Sequence, residues 1–386
     1  MRVGFDARYT RPSRAGLGQV VHYLLGEFLC AQSSHEFHLF RHVWPVDDTW
    51  LSDRRVHVHH VRSGSPKIIL DSRERWDQIS LPVSLLLQRI DVYHATGLVA
   101  PVLAPCPVVL TLYDLTFLMF PHLHDPISQS YLARWVPRSV HRATHLIAIS
   151  ETTKRDAIKH WNLPPSRITV IPLGVHPRFR LSRENDTVEN VLRQYNLPSR
   201  KNYILFVGTL EPRKNLVRLI HAYGSLVRNH ACNHQLVLCG RKGWLYDEIF
   251  TAVADAGLRE KVVFAQNIPD EALPHVYRGS VAFVYPSLYE GFGLPVLEAM
   301  ACGTPVITSN VSSLPEVVGE SALLIDPTDT KQIAQAMKRV CSDPELRSDL
   351  AERGLARSSE FSWRTTAEQT MRVYEQVVNQ KRDQGS

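Results

Sequence analysis

Short, continuous apolar runs recur along the chain, and a helical pattern follows each of them. Runs without polar alternation are typical of strands buried on both faces of a parallel sheet. Repeated strand–helix alternation predicts doubly wound α/β units. The predicted strands of the first half are Arg2–Asp6, Glu36–Phe40, Val56–Val61, Asp91–Tyr93, Val108–Leu112, Leu146–Ile149 and Ile168–Ile171. Those of the second half are Tyr203–Val207, Gln235–Cys239, Val262–Ala265, Val281–Tyr285, Pro305–Thr308 and Ala322–Ile325.

The alternation is interrupted once, by a polar stretch at residues 176–200. A chain of 386 residues also exceeds what one core usually organises. We therefore predict a Rossmann-like N-terminal domain over 1–175, a linker over 176–200 and a Rossmann-like C-terminal domain over 201–361. Trp363 opens a last amphipathic helix within residues 362–386.

Composition places the chain among ordinary globular proteins, with 44% apolar and 21% charged residues. The six cysteines form no CxxC pair, which favours free thiols in a reducing compartment. The N-terminus has no apolar segment typical of a signal peptide, and prolines interrupt the longest apolar stretch, residues 98–112. We therefore expect a cytoplasmic protein.

The positive charge is concentrated in the first half. Residues 1–175 contain 19 Lys and Arg against 14 Asp and Glu, which is +5 of the net +6. No run of basic residues is present, so nucleic-acid binding is not favoured over an anionic membrane or an acidic acceptor. Arg134, Arg138 and Arg142 lie on one predicted helix, which suits either the inner membrane surface or a solvated helix face. For His57, His59 and His60, edge or surface placement is favoured over a metal site.

Ligands of open parallel sheets bind beyond the carboxyl ends of the strands. The residues at those ends are rich in glycine, hydroxyl and titratable side chains: Asp6, His94, Tyr113, Asp114, Ser150, Gly174, Gly208, Thr209, Gly240, Asn267 and Ser287. Neither GxGxxG after the first strand nor GxxxxGK[ST] is present, which removes the usual signals of NAD dehydrogenases and P-loop NTPases.

The segment Glu290-Gly-Phe-Gly-Leu-Pro-Val-Leu-Glu298 is the most informative of these. Its glycines let backbone approach a ligand, and its proline suits the first turn of a helix whose free amides favour an anion. Two carboxylates beside such amides fit a nucleotide sugar, although two surface glutamates around a turn would explain the segment alone. In the segment 208–215, Arg213 and Lys214 follow a buried strand, and adjacent cations there fit a diphosphate.

The chain resembles the retaining glycosyltransferases of family 4, which have the GT-B fold of two Rossmann-like domains facing across a cleft. The resemblance rests on EGFGLPVLEAMACGTPV at 290–306, GTLEPRKN at 208–215, PEVVG at 315–319, DVYHATG at 91–97, LYDLTFLMFP at 112–121 and HLIAISETTKRD at 145–156. It implies a hexosyltransferase with a nucleotide-sugar donor and no catalytic metal or other cofactor. It also implies that the last helix packs back on the N-terminal domain.

The resemblance assigns a role to each site residue. Glu290 is expected to hold donor-sugar hydroxyls, Glu298 the ribose, and Arg213 with Lys214 the diphosphate. The other expected donor contacts are Gly291, Phe292, Gly293, Leu294, Gly208, Thr209, Asn267, Ile268, Gly16, Gly18 and Ser150. The expected catalytic residues are Glu290, Arg213, Lys214, His94, Tyr113 and Asp114, of which His94 and Tyr113 are expected on the acceptor side of the cleft.

Position 113 departs from the family, because many members have a histidine where this chain has Tyr113. A tyrosine donates a hydrogen bond but is not a base near neutral pH. A catalytically silent nucleotide-sugar-binding homologue, and less so a GT-B epimerase, therefore stay open as alternatives. The segments TLEPRKN and YDLTFL resemble those of bacterial mannosyltransferases of surface-polysaccharide synthesis. This resemblance favours GDP-mannose as the donor, with UDP-hexoses as the alternative donors.

Overall fold

The computed structural model describes residues 1–8, 17–31, 33–41, 52–61, 72–121, 126–181 and 185–384. They form two compact units. One comprises Met1–Gly174 and Trp363–Ser386, and the other comprises Val175–Ser362. Each unit contains one parallel sheet, as the apolar runs predicted.

The first unit contains a seven-stranded sheet in the order β3-β2-β1-β4-β5-β6-β7. Its strands are β1 (Arg2–Asp6), β2 (Glu36–Arg41), β3 (Val56–His60), β4 (Val92–Ala95), β5 (Val108–Leu112), β6 (His145–Ala148) and β7 (Ile168–Val170). The helices that precede β7 in the chain are α1 (Leu17–Cys30), α2 (Ser72–Arg75), α3 (Leu81–Leu87), α4 (Thr116–Met119), α5 (Pro126–Arg142) and α6 (Glu151–Trp161). A π-helical turn, Trp76–Ser80, joins α2 to α3.

The second unit contains a six-stranded sheet in the order β10-β9-β8-β11-β12-β13. Its strands are β8 (Tyr203–Val207), β9 (Gln235–Cys239), β10 (Val262–Ala265), β11 (Ala282–Tyr285), β12 (Val306–Ser309) and β13 (Leu323–Ile325). Its helices are α7 (Asn185–Gln194), α8 (Leu216–Arg228), α9 (Asp247–Asp255), α10 (Leu273–Gly279), α11 (Leu294–Ala301), α12 (Leu314–Val318), α13 (Thr330–Ser342) and α14 (Pro344–Ser358).

Both sheets follow the strand order of a Rossmann fold. In the first unit β1 pairs with both β2 and β4, and in the second β8 pairs with both β9 and β11. The chain therefore reverses its direction of travel across the sheet between β1 and β4, and again between β8 and β11. Such a reversal opens a crevice at the carboxyl ends of the two central strands, which is where α/β folds bind ligands.

The segment predicted as a linker, residues 176–200, belongs to the second unit. Within it α7 packs against α10, and Val188 and Leu192 are buried. The apolar face of this helix is therefore covered, although its sequence is mostly polar.

The last helix, α15 (Trp363–Gln384), belongs to the first unit. It packs on α1 and contacts β4 and β6. The indole of Trp363 lies against the ring of Tyr23 with centroids 5.1 Å apart, and the hydroxyl of Thr366 donates to the carbonyl of Pro172 at 2.7 Å. The chain thus returns to its N-terminal unit after completing the second one.

The histidines of β3 lie on the edge strand of the first sheet. His38 of β2 stands in register with His57, and its Nδ1 lies 2.9 Å from Nε2 of His59.

Among the residues that the structure describes, none of the helices combines the length and apolarity needed to cross a membrane.

Candidate donor-binding site

The centre of the second sheet brings together the two segments that the sequence singled out. Residues 208–215 follow β8, and residues 286–293 follow β11, its neighbour in the sheet. The backbone amide of Leu288 donates to the carbonyl of Arg213 at 3.0 Å, so the two segments are joined directly. The crevice expected from the strand order therefore lies between these two loops.

Glu290 is held by both predicted cations. Nζ of Lys214 lies 2.6 Å from Oε1 of Glu290, and a guanidinium nitrogen of Arg213 lies 2.8 Å from Oε2. Lys214 also donates to the hydroxyl of Tyr285 at 2.6 Å, and Arg213 to the carbonyl of Tyr289 at 2.8 Å. The second guanidinium nitrogen of Arg213 pairs with Glu211 at 2.6 Å. These contacts fix the positions of both cations.

Burial and charge set the protonation of this cluster. Burial opposes ionisation of Glu290, but the nearby charges of Arg213 and Lys214 outweigh it and lower its pKa to about 2. Burial lowers the pKa of Lys214, while the adjacent carboxylate of Glu290 opposes that change. Glu290 is therefore a carboxylate at neutral pH, with two acceptor oxygens beside two fixed donors.

Two glycines allow the backbone to pass closely at this edge. A Cβ on Gly240, at the end of β9, would lie 1.9 Å from the carbonyl oxygen of Gly208. Gly293 has a φ of 111°, and a Cβ there would lie 2.7 Å from the side chain of Leu314. A side chain at Gly240 would collide with the backbone of Gly208 and push the two strand ends apart, whereas a side chain at Gly293 would be strained by the positive φ.

Helix α11 begins directly after Gly293, beside Glu290. Gly293 is its N-cap and makes no side-chain cap hydrogen bond, and Pro295 stands in the first turn. Hydroxyls of Ser312 and Ser313 hold the preceding loop instead: Ser312 accepts from the amide of Glu290 at 3.0 Å, and Ser313 donates to the carbonyls of Glu290 and Phe292. The positive end of the helix dipole thus faces the same edge as the cations.

Glu298 lies within α11 and accepts a hydrogen bond from the hydroxyl of Tyr277 at 2.9 Å. Burial raises the pKa of its carboxyl to about 8, although the hydrogen bond from Tyr277 opposes the rise. Without ligand the carboxyl is therefore mostly protonated at neutral pH, and it can donate as well as accept.

The remaining predicted donor contacts occupy loops after the strands. Asn267 is exposed, has a φ of 60° and follows β10 with Ile268 half-buried beside it. Thr209 is half-buried after β8, and Gly291 and Phe292 are buried beside Glu290. Leu294 is the first residue of α11.

His94 is placed differently from the sequence expectation of an acceptor-side residue. It lies in β4 and is only 1% exposed. The hydroxyl of Tyr374 lies 2.6 Å from Nδ1, and Oγ1 of Thr111 lies 2.7 Å from Nε2. The ring is therefore part of the core, because its strand is covered by the last helix, which the local motif could not indicate.

Other predicted residues of the first unit make local contacts. Asp114 accepts from the amide and hydroxyl of Thr116, which closes the turn before α4. Ser150 is the N-cap of α6 and accepts from the amide of Thr153 at 3.0 Å. Tyr113 is half-buried, Gly18 lies in α1, and Gly16 lies outside the described residues.

The three arginines of α5 contact the protein itself. Arg142 is half-buried and donates to the carbonyls of Val102 and Ala104 at 2.9 and 2.8 Å. Arg134 pairs with Glu74 at 3.2 Å, and Arg138 donates to the carbonyl of Arg134. Arg134 and Arg138 are exposed, so part of this helix face is open to solvent.

Some contacts near these loops were not predicted from the sequence, although some of the residues that make them lie in or beside the predicted segments. Asn215 closes the GTLEPRKN segment, and its amide donates to the carbonyls of Pro286 and Pro327 at 3.1 and 2.6 Å. Tyr285 is the last residue of β11, directly before the loop to Glu290. In the first unit, Arg8 bridges the buried Asp6 and Asp77 at 2.6 and 2.8 Å. Asp77 lies in the π-helical turn, and no motif links it to β1.

Two family models match the chain. "Glycosyltransferase Family 4" matches residues 15–179, and "Glycosyl transferases group 1" matches residues 188–357. The chain therefore belongs to glycosyltransferase family 4 and has the GT-B fold, and it is a glycosyltransferase.

The curated relatives include mannosyltransferases. The O-antigen chain mannosyltransferase B of Escherichia coli is 36% identical over 267 residues, 69% of each chain. The serotype-specific mannosyltransferase WbdA of Escherichia coli is 33% identical over 229 residues. The matched part is 58% of this chain but only 28% of that longer protein. Sucrose-phosphate synthase from Thermosynechococcus elongatus has a similar fold, with a TM-score of 0.77 and 21% identity over 97% of this chain and 98% of that one.

Proposed function

We propose that the chain transfers a hexosyl unit from a nucleotide sugar to a glycan or lipid-linked acceptor, and that the second unit binds the donor. The observation that carries this proposal is the contact of Arg213 and Lys214 with Glu290 at the centre of the second sheet. Both curated relatives described above are named as mannosyltransferases. They support a mannosyl unit, and we propose GDP-mannose as the first candidate donor.

The cluster offers the two kinds of group that such a donor needs. The guanidinium of Arg213 and the ammonium of Lys214 suit diphosphate oxygens, and the oxygens of Glu290 suit sugar hydroxyls. Because the cations are held by Glu290, Tyr285 and Tyr289 before any donor binds, little reorganisation is needed as the nucleoside diphosphate departs. Stabilisation of that leaving group is the main physical requirement of the reaction.

Glu298 is proposed to bind the ribose. A mostly protonated carboxyl can donate one hydrogen bond and accept another, which matches a vicinal diol. Its tyrosine partner, Tyr277, is buried and keeps the carboxyl oriented.

We propose retention at the anomeric carbon by attack of the acceptor on the face that the nucleotide leaves. A phosphate oxygen of the donor takes the acceptor proton as the new glycosidic bond forms and the bond to the diphosphate breaks. Glu290 then positions the donor sugar and is not a nucleophile, because its carboxylate is committed to two cations. No catalytic metal or other cofactor is predicted.

Two alternatives are retained. UDP-hexoses are the alternative donors, which would make the enzyme a glucosyl- or galactosyltransferase. A silent nucleotide-sugar-binding homologue is the non-catalytic alternative, suggested by the tyrosine at position 113. The protein is proposed to act in the cytoplasm, with Arg134 and Arg138 available for the inner membrane surface.

The first experiment is a thermal-shift screen with GDP, UDP and ADP, because a ligand that binds the native state raises the midpoint of unfolding. Release of nucleoside diphosphate from GDP-mannose and UDP-glucose is then followed with polysaccharide-precursor acceptors, with and without a chelator. We expect a shift with GDP, acceptor-dependent release from GDP-mannose, and no effect of the chelator on the rate of that release. A shift with no release for any donor and acceptor would favour the silent homologue.

A further inference from the structure

A second cluster of reactive side chains lies in the second unit, away from the candidate donor site. Cys232 and His234 lie between the end of α8 at Arg228 and the start of β9 at Gln235, and Cys341 lies near the end of α13. Helices α8 and α13 pack together, which brings the segment and the helix end into contact. The cluster is at the amino end of β9, whereas Arg213, Lys214 and Glu290 follow the carboxyl ends of the strands.

The spacing of the ligand atoms suits a tetrahedral metal ion. Sγ of Cys232 lies 3.7 Å from Nδ1 of His234, and the two thiol sulfurs and an imidazole nitrogen all lie within 4.8 Å of one another. Zinc bonds of about 2.3 Å to sulfur and about 2.0 Å to nitrogen separate the two ligand atoms of a tetrahedron by about 3.6 Å.

We propose that Cys232, His234 and Cys341 form a binding site for a zinc-like divalent ion, with the fourth position open to solvent. Two thiolates and an imidazole are the soft ligand set that zinc prefers over magnesium or calcium. The ion would tie the segment before β9 to the end of α13, so it supports the second unit and takes no part in sugar transfer.

Metal binding would displace the protons of both thiols, because the thiolate is the form of cysteine that binds a metal ion.

The groups around the cluster hold its backbone in place. The hydroxyl of Tyr223, a buried residue of α8, donates to the carbonyl of His234 at 2.9 Å. The guanidinium of Arg347 donates to the carbonyl of Cys341 at 2.9 Å, which also places a positive charge beside the thiols. Both contacts fix the backbone of a residue that is a proposed ligand.

The test uses the full chain, reduced and stripped of metal with a chelator. Titration with Co²⁺ should give the sulfur-to-cobalt charge-transfer absorption and the intense visible bands of a tetrahedral site, saturating at one equivalent. Added Zn²⁺ should abolish these bands and raise the unfolding midpoint. Cys341→Ser should weaken metal binding by about 100-fold or more, since even loss of an outer partner costs about 10- to 100-fold. Cys30→Ser, which alters an exposed cysteine of the first unit, should bind as the unmodified chain does.

Two results would overturn the proposal. One is the absence of thiolate–cobalt absorption in the folded, reduced, unmodified chain, which needs no variant to fold. The other is oxidation of the thiols to a Cys232–Cys341 disulfide in air even with excess Zn²⁺, which would make the cluster a redox pair. Neither result bears on donor binding, which is measured separately with GDP.

Discussion

The two units have the same order of central strands but fill the carboxyl edge differently. In the second unit, the edge holds Arg213 and Lys214 against Glu290 and Glu211. In the first unit, Arg8 at the end of β1 is bridged by two buried carboxylates. The cluster in the second unit has one cation more, so it is the better suited of the two to a diphosphate.

The difference shows that the strand order and the side chains of the loops contribute separately to a ligand site. Strand order creates a crevice at each sheet, because loops diverge where the chain reverses. Whether the crevice suits an anion depends on which side chains the loops carry and on what covers them. In the first unit, His94 of β4 lies in a core that the last helix closes. This residue therefore contributes to packing, although the sequence placed it beside a ligand.

The largest expected effect is on catalysis by the second unit. Glu290→Gln removes the charge that holds both cations but keeps the size of the side chain. We expect kcat/KM for the donor to fall by about 100- to 1000-fold, as with loss of a positioning contact at a reaction centre. Glu352→Gln, at an exposed position of the same unit, is the matched control and should act as the unmodified chain. Near-normal activity of Glu290→Gln would remove this residue from the site.

A smaller effect is expected on nucleotide affinity. Lys214→Met removes the charge-assisted hydrogen bond that we propose Lys214 donates to the diphosphate, worth about 1.5–3 kcal/mol, so GDP should bind roughly 10- to 100-fold more weakly. Binding of guanosine, which has no phosphate, should change little, and calorimetry can compare the two. Lys331→Met alters an exposed lysine and should bind GDP normally. Equal losses for GDP and guanosine would mean that Lys214 acts only on folding.

A structural effect is expected in the first unit. His94→Leu leaves the hydroxyls of Tyr374 and Thr111 without their partner, so the free energy of unfolding should fall by about 1–3 kcal/mol. The activity of the folded fraction should stay within about twofold. A large loss of activity at unchanged stability would return His94 to the acceptor side, and the comparison of the two units would fail.

The same residue predicts a pH dependence of stability. Burial lowers the pKa of folded His94 to about 3, whereas the unfolded residue titrates near 6.5. The unfolded state therefore binds more protons below about pH 6.5, and at pH 5 this group costs about 2 kcal/mol of stability relative to pH 8. Denaturant unfolding at both pH values should show a smaller loss for His94→Leu than for the unmodified chain. An equal loss would contradict the buried placement.

The smallest effect concerns the membrane surface. Arg138→Gln should weaken sedimentation with phosphatidylserine vesicles by about fivefold, since each basic residue near such a surface contributes about 1 kcal/mol. Arg228→Gln, in the second unit, serves as the control for charge alone. Equal sedimentation of Arg138→Gln and the unmodified chain would leave α5 as a solvated helix.

Much of the fold was predictable from local pattern. Strands such as β1, β5, β8 and β9 begin and end where their apolar runs do, because strands buried on both faces need uninterrupted apolar side chains. The place of residues 176–200 in the second unit was harder to predict, because the few apolar residues of α7 are buried by packing against α10, which lies far along the chain. The surroundings of His57 and His59 were also hard to predict, because these residues neighbour His38 of the adjacent strand β2.

The sequence by itself determined the two parallel sheets, the family and the two loops that carry Arg213, Lys214 and Glu290. Apolar runs, glycine spacing and charged motifs are local signals, so they are readable along the chain. Only the tertiary structure decided that Glu290 contacts both cations, that His94 lies in the core, and that Cys341 meets Cys232 and His234. These pairings join residues far apart in the chain, and burial and charge at such contacts depend on packing that no local pattern specifies.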